Sequence, residues 1–478
     1  MPRQTYTTHK YNPKPGNKIY RIPRIEPWKV TVQAISQTKS GEPSLLTLVW
    51  GFAGMIIIGT ILLILPISSN AGVWTTPVNA LFTATSGVCV TGLVVVDTLD
   101  YWSTFGQVVV VILIQLGGFG FMTSTTIALV ALGHRIGLRE RLLIGESIGL
   151  STLGGLIKIV RNMLLFSLTA EVIGAAIFFV RFSSQYATGT AIWRSIFQSI
   201  SAFNNAGFDL FGGLRSLSDY QGDYLVVLTT AALVFLGGIS FLVVQDSVKT
   251  HSAKKLSLDS KMVLSITLVL LLAGTLVVLI SEYNNPNTLG AMSLPKKLLN
   301  AFFQSVTSRT AGFATVDINS MTHYSLFFIM LLMFIGGASG SAAGGIKVNT
   351  FGLVLATIWS SIKGREYPSA FGKEFMNQQI YRALAVIIIS AGLVAVIVFL
   401  LTITETYDFL RIFFEAVSAF GTVGLSTGIT PELSITGRIL IIITMFAGRL
   451  GPLTLTLALV KRQRPTKYHY PKEVVRIG

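Results

Sequence analysis

Residues 82–93 read FTATSGVCVTGL, and their spacing, a phenylalanine followed ten residues later by a glycine, is repeated in three further half-polar segments. The pairs are Phe82 and Gly92, Phe197 and Gly207, Phe302 and Gly312, and Phe414 and Gly424, with successive glycines 115, 105 and 112 residues apart. A unit of nearly constant length recurring along most of a chain marks a repeat architecture. Four copies predict four-fold pseudo-symmetry around one axis. Each copy lies between two long apolar runs, which is the pattern of a segment that enters a membrane and turns back.

Composition sets the solvent. Hydrophobic residues make up 51% of the 478, charged residues 12%, and mean hydropathy is +0.66, as expected of a chain that sits mostly in lipid. About 20 apolar residues span a bilayer as helix. Eight stretches qualify, at 45–66, 103–132, 163–182, 222–245, 262–281, 324–358, 381–403 and 437–460. The expected fold is therefore an all-α integral membrane protein of four helix, pore-loop, helix repeats. The organisation reads as a tail at 1–44, repeat 1 at 45–132, a loop at 133–162, repeat 2 at 163–245, a loop at 246–261, repeat 3 at 262–358, a loop at 359–380, repeat 4 at 381–460 and a tail at 461–478.

The net charge of +16 follows topology and gives no support to nucleic-acid binding. Of the 37 lysines and arginines, 27 fall in residues 1–44, 134–162, 246–261, 359–382 and 461–478, which are the two tails and the loops between repeats with their immediate edges. By the positive-inside rule these segments and both termini are cytoplasmic, and the four pore loops enter from outside. The basic first tail, with Pro2, Pro13, Pro15 and Pro23, has no signal-peptide core; it reads equally as a flexible tail or as one ordered on a partner. The single cysteine, Cys89, excludes internal disulfides and multi-cysteine metal sites.

The residues before each glycine suit a short helix descending from the outer surface, with Thr76 before Pro77 and Ser293 before Pro295 as expected caps. Such a helix points its negative end at the membrane centre, where a cation is favoured. The following segments, Cys89-Val90-Thr91-Gly92, Asn204-Asn205-Ala206-Gly207, Arg309-Thr310-Ala311-Gly312 and Gly421-Thr422-Val423-Gly424, are expected to be extended and to aim carbonyls at the axis. Four converging carbonyl sets can replace an ion's hydration shell. Of the nearby acids, Asp97, Asp209, Asp317 and Glu415 read as solvated loop acids or helix caps, with Asp97 and Asp209 also placed to concentrate cations at the mouth.

A second set of motifs aligns in the later helix of each pair: LGGFGF from Leu116, LGGISF from Leu236, IGGASG from Ile335 and AGRLGP from Ala447. The third continues through Gly336, Gly337, Ser339, Gly340, Ser341, Gly344, Gly345 and Lys347. Each glycine costs a helix roughly 1 kcal/mol relative to alanine, so this run is expected to unwind inside the membrane, facing the pore. It lacks the Gly-Lys-Ser/Thr ending and preceding strand of a phosphate loop. In the fourth motif Arg449 replaces the second glycine of the others (Gly118, Gly238, Gly337). A charge at that depth must face water, a carboxylate or carbonyls. Arg449 and the glycine run are read as an intramembrane gate, with a helix-stapling role for Arg449 as the alternative.

On the segments VCVTGL, NNAGF, SRTAGF and TVGLSTG the chain resembles the Trk/Ktr/HKT superfamily of potassium transporters over about residues 45–460, and within it the bacterial KtrB type more than the TrkH type. The resemblance implies a homodimer with one pore per subunit, potassium as the transported ion with sodium as a candidate activator, a selectivity glycine in every repeat, and a gating loop with an arginine. It also implies a cytosolic KtrA-type octameric ring that carries the nucleotide site this chain lacks. Arg135, Arg139, Arg141 and the KRQR run at 461–464 are candidate contacts for it, equally explained by topology.

Passive potassium uptake across the bacterial cytoplasmic membrane is the leading expectation, with a sodium-conducting relative as the alternative. A coupled secondary transporter would carry acids within its spans. Here Glu171 is the exception, read as a packing acid paired with a hydroxyl or as a coupling residue. No nucleophile and base pair, metal cluster or nucleotide motif points to an enzyme.

Overall fold

The computed structural model describes residues 46–120, 156–250 and 252–451. The tails at 1–44 and 461–478, most of the loop at 133–162, and the candidate contacts at Arg135, Arg139, Arg141 and 461–464 lie outside the described residues.

The described chain is almost entirely helical. Its first quarter holds α1 (Leu46–Ile64), α2 (Pro77–Cys89), the single turn α3 (Thr98–Tyr101) and α4 (Thr104–Phe119). The next comprises α5 (Leu156–Phe182), α6 (Thr188–Phe203), α7 (Tyr224–Gly238) and α8 (Phe241–Thr250). Then come α9 (Leu258–Glu282), α10 (Leu294–Thr307), α11 (His323–Phe334) and α12 (Val348–Ile362), followed by α13 (Asn377–Thr404), α14 (Phe409–Gly421) and α15 (Ile435–Leu450). The loop at 359–380 contains a small hairpin, β1 (Ser369–Ala370) against β2 (Lys373–Glu374). Its turn residues Phe371 and Gly372 both have positive φ, as a two-residue hairpin turn requires.

Among the described residues, three helices are long and apolar enough to cross a membrane unbroken: α5 from Lys158, α9 and α13. Their faces carry exposed Val172, Ile173, Leu272, Leu276, Ile388 and Phe399, a surface suited to lipid rather than water. Two of the expected spans are interrupted. The stretch 222–245 is α7 and α8, bent by 94° at Ile239 and Ser240. The stretch 324–358 is α11 and α12 with an irregular segment between them. α4 and α15 are 16 residues each, and the far ends of the stretches at 103–132 and 437–460 fall outside the described residues.

The N-terminal ends of several second helices are fixed by side-chain caps. Ser103 accepts from Gly106 N, Asp223 from Leu225 N and Val226 N, and Ser434 from Gly437 N. The four short helices α2, α6, α10 and α14 form the interior. α2, α6 and α14 each pack on both long helices of their own unit and α10 chiefly on α9, and each also packs on a helix of the preceding unit: α6 on α4, α10 on α7, α14 on α11, and α2 on α15. The last contact joins the end of the chain to its beginning. A wholly buried phenylalanine stands in the corresponding part of each short helix: Phe82, Phe197, Phe303 and Phe414. In the third copy that residue is Phe303, not Phe302, so the ten-residue spacing there is nine in structural terms.

Candidate functional site

The glycines of the four repeated segments lie side by side in chain order. A Cβ built on Gly92 would stand 2.5 Å from Ala206 O, one on Gly207 2.9 Å from Ala311 O, one on Gly312 2.4 Å from Val423 O, and one on Gly424 2.2 Å from Thr91 O. Each glycine thus abuts the carbonyl that precedes the next glycine, and the fourth closes on the first. All four have φ between 70° and 92°, where a side chain is disfavoured.

The segments leading into this ring are not extended from the start, as the sequence predicts. Val90, Asn205, Thr310 and Thr422, each two residues before its glycine, are left-handed, with φ of 55°, 59°, 76° and 49°. In three copies the reason is the helix end. Val90 N donates to Gly87 O and Thr91 N to Ser86 O; Asn205 N to Ala202 O and Ala206 N to Ser201 O; Thr422 N to Ala419 O and Val423 N to Ser418 O. These are Schellman caps, built on residues other than the usual glycine. A β-branched residue in this region costs about 1–2 kcal/mol. In the third copy the helix ends at Thr307, and Ala311 N donates to Thr307 O at 3.0 Å instead.

Hydroxyls hold the segments from behind. Ser86 Oγ and Ser418 Oγ accept from Gly92 N and Gly424 N, each at 3.1 Å, while Ser201 Oγ donates to Phe208 O at 2.6 Å and Thr307 Oγ1 to Phe313 O at 2.7 Å. With its carboxamide turned so that the oxygen accepts from Thr310 Oγ1 at 3.2 Å, Asn205 donates to Ala202 O and Val234 O, tying the second segment to the third. Cys89 is the buried last residue of α2. Thr76 and Ser293 do occupy the N-cap positions of α2 and α10, but neither side chain makes a cap bond; Pro77 and Pro295 set those starts by their fixed φ.

Outside the ring is a cavity of about 590 Å³, lined by all four ring glycines and by Asp97, Asp209, Asp219 and Asp317. Asp97 caps α3 through Leu99 N and Asp100 N and also accepts from Leu214 N of the next unit at 2.8 Å. Asp209 accepts from Phe211 N, and Asp317 from Asn319 N and Ser320 Oγ. Glu415 departs from the expected solvated acid. It is 1% exposed, one residue after Phe414, and accepts from Ser426 Oγ at 2.5 Å, Thr427 N at 3.0 Å and Thr430 Oγ1 at 2.8 Å. It pins the loop that follows Gly424.

On the inner side lies the segment between Phe334 and Val348, which carries the glycine run and is not helical. Gly336 N donates to Ile346 O, Ala338 N to Gly238 O and Ala342 N to Gly237 O, so the loop leans on the end of α7. It also touches the left-handed residues of the ring. A Cβ on Gly344 would meet Thr422 Oγ1 at 2.1 Å, and one on Gly336 would meet Thr310 Cγ2 at 3.4 Å. Gly345 faces Gly421, and Gly337 faces Gly238 O. Ser339 N donates to Asn349 Oδ1, and Ser341 Oγ to Ala338 O. Gly340 and Gly345 have positive φ.

Arg449, at the end of α15, reaches across to this loop and donates to Ala342 O, Gly117 O and Gly118 O. Lys347 Nζ donates to the adjacent Ala343 O at 2.5 Å. Two cationic groups therefore sit on consecutive carbonyls, partnered by backbone oxygens as a charge at this depth requires. The sequence-predicted residues of both constellations are thus brought together, in two layers. The sequence does not reveal that Glu415 is a buried acceptor or that Gln115 and Asn204 hold Glu171, because these contacts join separate segments of the chain.

Similarity to known proteins supplies the family. The profile of the TrkH family, described as cation transport proteins, matches residues 52–468, and the chain belongs to this family. It is 44% identical to the Ktr system potassium uptake protein B of Bacillus subtilis, over 90% of this chain and 95% of that one. It is 39% identical to the potassium/sodium uptake protein NtpJ of Enterococcus hirae, over 90% and 96%. The fold is similar to the crystal structure of the potassium transporter TrkH from Vibrio parahaemolyticus, with a TM-score of 0.68 and 20% identity, covering 90% of this chain and 86% of that chain.

Proposed function

We propose that this chain is the ion-translocating subunit of a potassium uptake system in the bacterial cytoplasmic membrane, conducting passively through one pore. The observation that carries this reading is the closed ring of Gly92, Gly207, Gly312 and Gly424, each against the carbonyl preceding the next. In the proposal the filter comprises Cys89, Val90, Thr91 and Gly92; Asn205, Ala206 and Gly207; Thr310, Ala311 and Gly312; and Thr422, Val423 and Gly424. Their carbonyls replace the hydration shell of a potassium ion. The pore axis is a four-fold pseudo-symmetry axis of four repeats contributing eight spans, with both termini cytoplasmic. The acid-lined outer cavity gathers cations before they reach the ring. Inward flow is driven by the membrane potential, about 2.3 kcal/mol per charge per 100 mV.

The segment 336–347 and Arg449 form the gate. The loop lies directly below the third and fourth filter segments, and Arg449 with Lys347 puts positive charge where an ion must pass. Opening requires the loop to leave the carbonyls of Gly237 and Gly238 and to release Arg449. The names of the Ktr relatives support a multi-subunit system; the reading assigns a homodimer of this chain on a cytosolic nucleotide-binding octameric ring, with sodium as an activator. The name of the Enterococcus relative keeps a sodium-conducting pore as the second reading. Competition of potassium and sodium against rubidium-86 uptake into proteoliposomes tests the two. Block by potassium alone supports the first, and equal block by sodium supports the second.

A further inference from the structure

Glu171 is buried in the middle of α5, 5% exposed, in a long and predominantly apolar helix. Its carboxylate accepts from Gln115 Nε2 at 3.0 and 3.2 Å, Asn204 Nδ2 at 3.2 Å and Ser167 Oγ at 3.4 Å. Asn204 Nδ2 also donates to Gln115 Oε1 at 2.8 Å and to Ile200 O at 2.9 Å. Asn204 caps the C-terminus of α6 and stands directly before the left-handed Asn205. Its Oδ1 occupies the space that a Cβ on Gly118 would need, 1.9 Å away. The carboxylate thus grips the residue from which the second ring segment springs.

The third repeat has the same framework without the carboxyl group. Ser199 Oγ donates to Glu171 O at 2.6 Å, and Ser305 Oγ donates to Leu271 O at 2.9 Å. Three residues on, Gly174 and Gly274 make room for those same serines. Glu171 and Leu271 are therefore equivalent positions, as are Ser167 and Thr267 four residues earlier. Three residues before the ring glycine, where repeat 2 has Asn204, repeat 3 has Arg309. It is 8% exposed and donates to Thr267 Oγ1 at 3.3 Å, while its Nε has no partner among the described residues. One segment is held by a buried carboxyl group, and its neighbour carries a buried guanidinium.

We propose that Glu171, acting through Asn204, is a positioning residue that sets the ion preference of the ring by fixing the geometry of the repeat 2 segment, a hold that repeat 3, with Leu271 and Arg309 at the equivalent places, lacks. This rests on the ring being the filter. A buried carboxyl group with three donors aimed at it does not tolerate an apolar replacement, because those donors lose their acceptor. Glu171→Gln preserves the shape and one acceptor oxygen but sets an amide N–H against Gln115 Nε2.

The test titrates the purified full chain with potassium chloride or sodium chloride, at ionic strength held constant with choline chloride, and follows thermal stability. An ion that binds the folded state raises its stability with concentration. The wild-type chain is expected to be stabilised by potassium at lower concentration than by sodium. In Glu171→Leu, which copies repeat 3, the ratio of the two concentrations falls about tenfold, and in Glu171→Gln it falls less. A uniform loss of stability with the ratio unchanged in both variants makes Glu171 a packing residue and overturns the proposal. If the wild-type chain itself prefers neither ion, the reading of the ring as a potassium filter fails first, and this inference with it.

Discussion

The four ring segments and the loop between Phe334 and Val348 are both irregular backbone enclosed among apolar helices, yet they are anchored in different ways. Each ring segment is fixed at the end of a buried helix by cap bonds, a hydroxyl from behind and a carbonyl from the side. The inner loop leans on the free carbonyls at the end of α7, and its own carbonyls at 342 and 343 are taken by two long cationic side chains. Glycine serves both for different reasons. In the ring it lets a neighbouring carbonyl come close; in the loop a run of it denies the chain a helix. The difference teaches that the ring segments are held by their own helices and the loop by contacts with other parts of the chain, as the proposed roles of filter and gate require.

Substitutions can break this comparison at either side. The largest effect is expected in the ring. Gly424→Ala and Gly312→Ala put a Cβ 2.2 and 2.4 Å from a backbone oxygen that cannot move alone, at a φ hostile to alanine. Selective potassium uptake per folded protein should fall about a hundredfold or more, equivalent to roughly 3 kcal/mol. Gly207→Ala, with 2.9 Å available, should be the mildest of the four. Equal effects at all four positions would mean that the carbonyl contacts do not set the outcome.

At the loop the sign reverses. Arg449→Ala, or deletion of Ser339 to Ala343, should raise rubidium flux about tenfold by removing positive charge or the obstruction itself. Unchanged or lower flux at normal expression would leave Arg449 as a helix staple. Smaller is the expected effect of Glu415→Gln, which weakens the bonds to Ser426, Thr427 and Thr430 and should lower stability by about 1–3 kcal/mol, read as a drop in thermal midpoint. The smallest is that of Val90→Gly. Relief of left-handed strain, about 1–2 kcal/mol, opposes the added freedom of the unfolded chain, so the midpoint should move by no more than a few degrees.

Much of this was legible in the sequence because it depends on spacing and on glycine, both of which are local. The Phe-to-Gly interval located the ring, and the run from Gly336 located a break in a helix. Arg449 stood out because it replaced a glycine in an aligned motif. What stayed hidden depends on contacts between distant segments or on strain. Nothing in Val90 or Thr422 announces a left-handed backbone, since β-branched residues avoid it. Phe302 looked like the repeat residue until the early end of α10 put Phe303 in the buried place. Glu415 looked like a surface acid because its partners lie 11 to 15 residues ahead. The network of Glu171, Gln115 and Asn204 draws on three helices, and the 94° bend between α7 and α8 falls in a stretch of unbroken apolar character.

The most direct test of the central claim is rubidium-86 uptake into proteoliposomes containing this chain, with potassium, sodium or lithium as competitor. The account predicts block by potassium at concentrations where sodium and lithium have little effect. Equal block by sodium would contradict it, and the four glycines would then close a ring that passes cations without choosing potassium among them.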